Sequence, residues 1–252
     1  MGGDAGRVRR RTFLRGSRDL ALLTMVPAPV VSAFVSGAEQ AEPAAAAERD
    51  GYFLTAAELE TLTAVCDRFI PGQPEDPDPG AVQAGVPNYI DLFLGAFLAG
   101  GTPRIWAGGP FSDRAGAPHN DFADFLELDE LEELAWRTRI EGSLGIPERE
   151  WGGPVEGLQE KYRKGLAELD SLARARGGRR FHQLPKWFQD VLVTFPQWGT
   201  GPFLDLVWEH CIEGMYGAPE YGGNHDLAGW EYTQWPGDSQ PRGYTDEEVS
   251  GP

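Results

Sequence analysis

Between Glu213 and Gly237 the chain reads Glu-Gly-Met-Tyr-Gly-Ala-Pro-Glu-Tyr-Gly-Gly-Asn-His-Asp-Leu-Ala-Gly-Trp-Glu-Tyr-Thr-Gln-Trp-Pro-Gly, with two tryptophans and three tyrosines set among glycines and prolines. Breakers at that density argue against a regular helix or strand through the segment. Glycine-rich backbone loses much entropy when it is ordered, and burial of aromatic rings is the largest available offset. An ordered loop is therefore expected here, and the rest of the fold must give its rings a surface.

Helices are expected to supply that surface. Thr55-Ala-Ala-Glu58 is a capping box, after which Leu59, Leu62, Val65, Cys66 and Phe69 recur on one face until Pro71. The acidic run from Gly72 to Gly80, with Pro74, Pro77 and Pro79, is a loop. A second helix is predicted from Pro87 to Leu98, apolar on most of its surface through Tyr89, Ile90, Phe93, Leu94 and Phe97, and hence central. Residues 100–125 mix glycine and proline with Trp106, Phe111, Phe122 and Phe125, which predicts an ordered excursion forming part of a partner surface. Leu128-Asp129-Glu-Leu-Glu132 opens a third helix with Leu131, Leu134, Ala135 and Ile140 inward.

A long amphipathic helix is expected from Pro154 to about Ala175, with Val155, Leu158, Tyr162, Leu166, Leu169 and Leu172 inward and Glu160, Lys161, Arg163, Lys164 and Glu168 outward. Leu184-Pro185 begins a shorter helix running through Phe195, and Pro202 begins the one carrying Phe203, Leu206, Val207, His210 and Cys211. No alternating strand pattern of useful length occurs. The predicted fold is all-α, an irregular helical bundle with long ordered Gly/Pro/aromatic loops and an extended C-terminal tail.

The formal charge is −17 over 252 residues, yet residues 1–38 hold six arginines against two aspartates, so the remainder carries about −21. A chain of that sign is repelled by phosphate backbones, which argues against nucleic acid as a partner. The basic head is followed by a modest apolar run, Leu20 to Val35, interrupted by two prolines and ending near small residues. That pattern fits a cleaved export signal over 1–38 better than a membrane span. Within it Arg10-Arg11-Thr12-Phe13-Leu14-Arg15 resembles the twin-arginine motif that routes folded proteins across the bacterial membrane, carried here by Arg10, Arg11, Phe13 and Leu14. Residues 39–50 read as a solvated linker to a single domain over 51–252, whose aromatic C-terminal segment is 213–252.

The pattern Tyr216-Gly217-x-Pro219-x-Tyr221-Gly222-Gly223-Asn224, then Gly229-Trp230 and Pro236-Gly237, resembles the C-terminal signature of gluconate 2-dehydrogenase subunit 3. Ala218 and Gln234-Trp235 depart from that family's usual residues. The resemblance extends to Asp67-Arg68-x-Ile70-Pro71, to Gly80-Ala81-x-x-Ala84-Gly85-Val86, and to Tyr162-Arg-x-Gly165-Leu166-x-x-Leu169-Asp170, where Gly165 would let two helices approach. It implies a non-catalytic small subunit that binds no cofactor itself. Its partner is a large subunit of the glucose-methanol-choline type, which holds FAD and oxidises a sugar, sugar acid or polyol, in some members passing electrons to a cytochrome c subunit. The small subunit would stabilise the flavoprotein and carry it through the twin-arginine pathway to the periplasmic side. The expected partner interface comprises Tyr216, Tyr221, Gly222, Gly223, Asn224, His225, Trp230 and Trp235.

No catalytic set is legible in the chain. There is no dinucleotide or phosphate loop, no Gly-x-Ser-x-Gly elbow and no Cys-x-x-Cys-His, and the four histidines are far apart in sequence. His210, on an apolar helix, reads as a satisfied core histidine, whereas His225-Asp226 among rings can face a ligand or partner. His119-Asn120-Asp121 reads as loop capping, and Glu127 to Glu133 as a solvated helix start. For Cys66 and Cys211 two readings stand, a pair of buried small hydrophobes or one bridge. The aromatic loop also has two readings that are compatible, a cap on the bundle and an interface rich in Trp and Tyr. The alternative function is a stand-alone secreted carbohydrate-binding protein whose rings stack on sugars; a secreted hydrolase or lyase is weaker for want of a base or nucleophile.

Overall fold

The computed structural model describes residues 51–98, 105–107, 127–194 and 200–235, all within the unit Arg49–Pro252. The export motif Arg10, Arg11, Phe13 and Leu14, the linker 39–50, most of the excursion with Phe111, His119, Phe122 and Phe125, and the tail from Pro236 onward lie outside the described residues. The described residues form seven α-helices and no strand: α1 Ala56–Phe69, α2 Val86–Leu94, α3 Glu130–Glu141, α4 Leu158–Gly177, α5 Lys186–Thr194, α6 Gly201–Tyr216 and α7 Ala228–Thr233. The all-α expectation holds.

Helix α1 is the hub, packing against α2, α4, α5 and α6. Both halves of its expected capping box form: the Thr55 side chain accepts from the Glu58 amide and the Thr55 amide donates to Glu58. Leu62, Val65 and Cys66 then enter one continuous core with Ile90 and Leu94 of α2, Leu166 and Leu169 of α4, and Val207, Cys211 and Met215 of α6. Gly165 meets the Phe203 ring, because any side chain at that position of α4 would run into it. This is the close helix approach that the glycine suggested.

Three expectations need correction. Helix α2 stops at Leu94 rather than Leu98, and the Tyr52 ring packs where a side chain on Gly95 would stand. Helix α3 begins at the expected acidic cap, Asp129, but of its four proposed inward residues only Ile140 is buried, and Leu131 is 73% exposed. Trp136 and Arg137 turn toward α2 instead, Trp136 edge-on to Phe93 and Arg137 over the Phe97 ring. Helix α4 starts at Leu158, since Val155 is occupied pairing with Ser143: its carbonyl accepts from the Ser143 N–H at 3.0 Å and its N–H donates to the Ser143 Oγ at 3.1 Å.

Two buried polar residues hold the periphery to this core. Asp91 of α2 accepts the backbone N–H groups of Tyr52, Phe53 and Leu54 at 2.5, 3.0 and 2.7 Å, which ties the start of the domain to its second helix. Arg68, its side chain 3% exposed, donates to Asp67, to both oxygens of Glu75 in the following loop, and to Asp190 of α5. Hydrogen bonding from Arg68 holds the Glu75 carboxyl down at about 2.

Candidate partner-binding site

The aromatic segment is more regular than its breakers suggested. Helix α6 runs through its first residues and ends at Tyr216; two 3-10 turns, Pro219–Tyr221 and His225–Leu227, lead into the six-residue α7. The short helix forms because tertiary contacts replace propensity. Asn224 organises the whole turn and is fully buried. Its backbone N–H donates to Gly214 at 2.8 Å, its Nδ2 donates to the Gly217 carbonyl at 2.9 Å, and its Oδ1 accepts from the Gly229 N–H at 2.9 Å. Trp230 is also buried, donating Nε1–H to the Tyr216 carbonyl at 2.8 Å.

Gly223 lies so close to Gly214, and Gly229 to Met215, that a methyl group on either would enter a carbonyl oxygen of α6. Within this segment the backbone takes left-handed φ angles at four non-glycine residues, Asn224, Asp226, Leu227 and Gln234. Each such residue costs on the order of 1 kcal/mol, and such strain persists where surrounding contacts over-determine it.

The loop docks on the start of α2. The His225 N–H donates to the Ala84 carbonyl at 3.0 Å and Asn88 Nδ2 donates to the Gly222 carbonyl at 3.2 Å. The His225 ring occupies the space where Gly85, in the left-handed region at φ 72°, would otherwise carry a side chain.

Of the eight residues expected at a partner interface, three therefore serve the interior: Gly223, Asn224 and Trp230 are buried and shape the loop. Trp235 is 51% exposed, and His225 is exposed although its ring lies against Gly85. Tyr216 and Tyr221 are half-buried in the wall of a cavity of about 530 Å³. Trp106, from the excursion expected to form part of a partner surface, also lines it, and three rings not expected there complete the wall: Tyr89 and Phe93 from α2 and Trp136 from α3. Tyr89 stacks on Phe93 with ring centroids 6.1 Å apart, and Trp106 meets Tyr221 edge-on at 5.6 Å. The signal available in the sequence was the ring content of the second helix and of the excursion; their convergence on the loop is a tertiary fact.

One carboxylate marks this cavity. Glu213 accepts from the Tyr89 hydroxyl at 3.2 Å, and burial, with the Glu213 charge, holds that phenol well above its usual range. Behind the wall His210 is 1% exposed and stacks on Tyr162, whose hydroxyl shares a 2.7 Å hydrogen bond with its Nδ1. Its Nε2 has no hydrogen-bond partner among the described residues, with the nearest Glu213 oxygen 4.0 Å away. Burial, then the Arg139 charge, pulls the His210 imidazole down to about 4, so it is neutral at ordinary pH. The expectation of a core histidine holds, with one of its two nitrogens satisfied.

Among the described residues no group of three or more His, Cys, Asp or Glu gathers at metal-binding spacing, and no helix is long and apolar enough to cross a membrane. What the site offers is an apolar cavity with aromatic walls and, on the loop that Asn224 and Trp230 hold in place, an exposed Trp235. These are features of a surface that receives another molecule's side chains. A family model described as gluconate 2-dehydrogenase subunit 3 matches residues 56–237. No curated protein and no solved structure matches the chain.

Proposed function

The chain belongs to the gluconate 2-dehydrogenase subunit 3 family, the accessory subunits of a dehydrogenase complex, and from that premise we propose that it is the non-catalytic small subunit of an exported FAD-dependent dehydrogenase of sugars, sugar acids or polyols. In this reading it binds a glucose-methanol-choline-type large subunit, stabilises it, and carries it through the twin-arginine pathway to the periplasmic side by way of Arg10-Arg11-Thr12-Phe13-Leu14. FAD resides in the partner, and a cytochrome c subunit completes the complex where electrons leave it.

The observation that carries the interface assignment is the aromatic cavity between α2, α3 and the loop that follows α6, and Trp235 adds a second exposed ring on the same loop. Aromatic residues around a desolvated pocket are where binding energy concentrates at protein interfaces. Removal of the whole loop would not test this, because Asn224 and Trp230 are structural. The variant to use is Tyr221→Ala with Trp235→Ala.

The test is a pull-down of the tagged full chain from its native host, with flavin absorbance read on the eluate. The expected result is a yellow complex containing a second chain of flavoprotein size, weakened at least 30-fold by the double variant, a loss of about 2 kcal/mol. A colourless wild-type eluate would remove the subunit reading and leave sugar binding by the same rings as the reading to assay.

A further inference from the structure

Cys66 and Cys211 are the two cysteines of the chain, and they meet. Cys66 lies in α1 and Cys211 in α6; both are 0% exposed, and the Cys211 thiol donates to Cys66 Sγ at 3.5 Å across the helix pair. A disulfide needs its sulfurs at about 2.05 Å, so an approach of about 1.5 Å would join them. The surrounding core is apolar, with Val65, Leu62 and Val207 in the same cluster, and both thiols are free and buried within it.

The geometry points to a covalent crosslink site: Cys66 and Cys211 close into a disulfide when the chain folds under oxidising conditions, whereas a chain that folds reduced seals both thiols out of reach. The bond state then records the compartment in which folding took place. Each thiol gives up its hydrogen and the S–S bond forms between them. Two electrons and two protons pass to the disulfide of a thiol–disulfide oxidoreductase or of glutathione, whose own S–S bond breaks into two thiols. Exchange requires a thiolate that an oxidant can touch, and full burial denies both requirements once α1 has packed on α6. Burial also pushes the Cys66 thiol well above its usual range, in keeping with an inert folded pair.

The inference concerns this chain alone and does not depend on the identity of a partner. With two cysteines in the sequence, an intrachain disulfide in a monomer has one possible pairing. Unfolded full-length chain is refolded in parallel with glutathione redox buffer and with reductant, and free thiols are counted after denaturation. The expected product of the oxidising arm is a monomer with no free thiol and a mass lower by two hydrogens. It should melt higher by about 10 °C, since the bridge closes a loop spanning 145 residues. Free thiols in that monomer, or disulfide-linked dimers in its place, would overturn the site. In a second arm, native protein folded with reductant is exposed to glutathione disulfide with and without denaturant. Both thiols should survive in the native sample at least 100-fold longer than in the unfolded one, and equal rates would overturn the sealing.

Discussion

His210 makes the stability of this protein depend on pH in a stated direction. Its imidazole titrates near 4 in the fold and near 6.5 when exposed, so between those values the unfolded chain takes up a proton that the folded chain refuses. The contribution is complete above pH 6.5, falls as pH drops through the window, and is lost below 4, a loss of order 3 kcal/mol. His210→Gln keeps a partner for the Tyr162 hydroxyl and removes the titration. Melting temperatures measured from pH 7 to pH 4 should fall less steeply for the variant, and parallel curves would show that another group controls the acid limb. Asp91 is a second single-residue test. Two carboxylate oxygens serve three backbone donors, which an amide cannot do because its nitrogen would face an N–H. Asp91→Asn should cost about 2 kcal/mol and Asp91→Ala about 3 kcal/mol in urea unfolding, whereas a near-neutral result for Asn would mean that residues 52–54 are held by packing.

At the scale of elements, helix starts were the most legible feature, because caps are local: Thr55 with Glu58 and Asp129 with Glu132 both close as their spacing requires. Faces and ends were less so. Leu131 sits on the solvent side of α3 because α3 meets the bundle along Trp136 and Ile140, a choice made by neighbours that periodicity does not see. Helix α7 was hidden for a related reason. Its six residues have little helical propensity, and what holds them is Asn224 at their amino end, Thr233 bonding back to Gly229, and Trp230 beneath. The glycines of the segment were legible as breakers but act as points of close approach. Gly229→Ala places a methyl into the Met215 carbonyl, so it should destabilise the loop by 2 kcal/mol or more, read as faster amide exchange across 217–235 with the α1 amides unchanged. Uniform faster exchange would show that the loop and bundle open as one unit.

Across the whole molecule, charge and topology set the behaviour. A net charge of −17 on 252 residues repels itself in the compact state, so raising salt from about 0.01 M to about 0.2 M should raise the melting temperature as the screening length shortens. A fall would mean that the Arg68 cluster with Asp67, Glu75 and Asp190 outweighs the long-range repulsion. The aromatic cavity was half legible at this scale. Of the residues named from one segment, Tyr216 and Tyr221 line the cavity, whereas Tyr89, Phe93 and Trp136 reach it from helices over 70 residues away in sequence, a convergence no local pattern encodes. The central position of α1 also bears on synthesis. The helix that every other long element but α3 packs against is made first among them, and its partner α6 emerges from the ribosome about 145 residues later. At roughly 5–20 residues per second, that leaves the apolar face of α1 waiting on the order of 10–30 s in a nascent chain that cannot yet close its core. The core cannot close before α6 has emerged, and a ribosome stalled before Gly201 would hold a chain whose α1 still lacks the cover that Val207, Cys211 and Met215 provide.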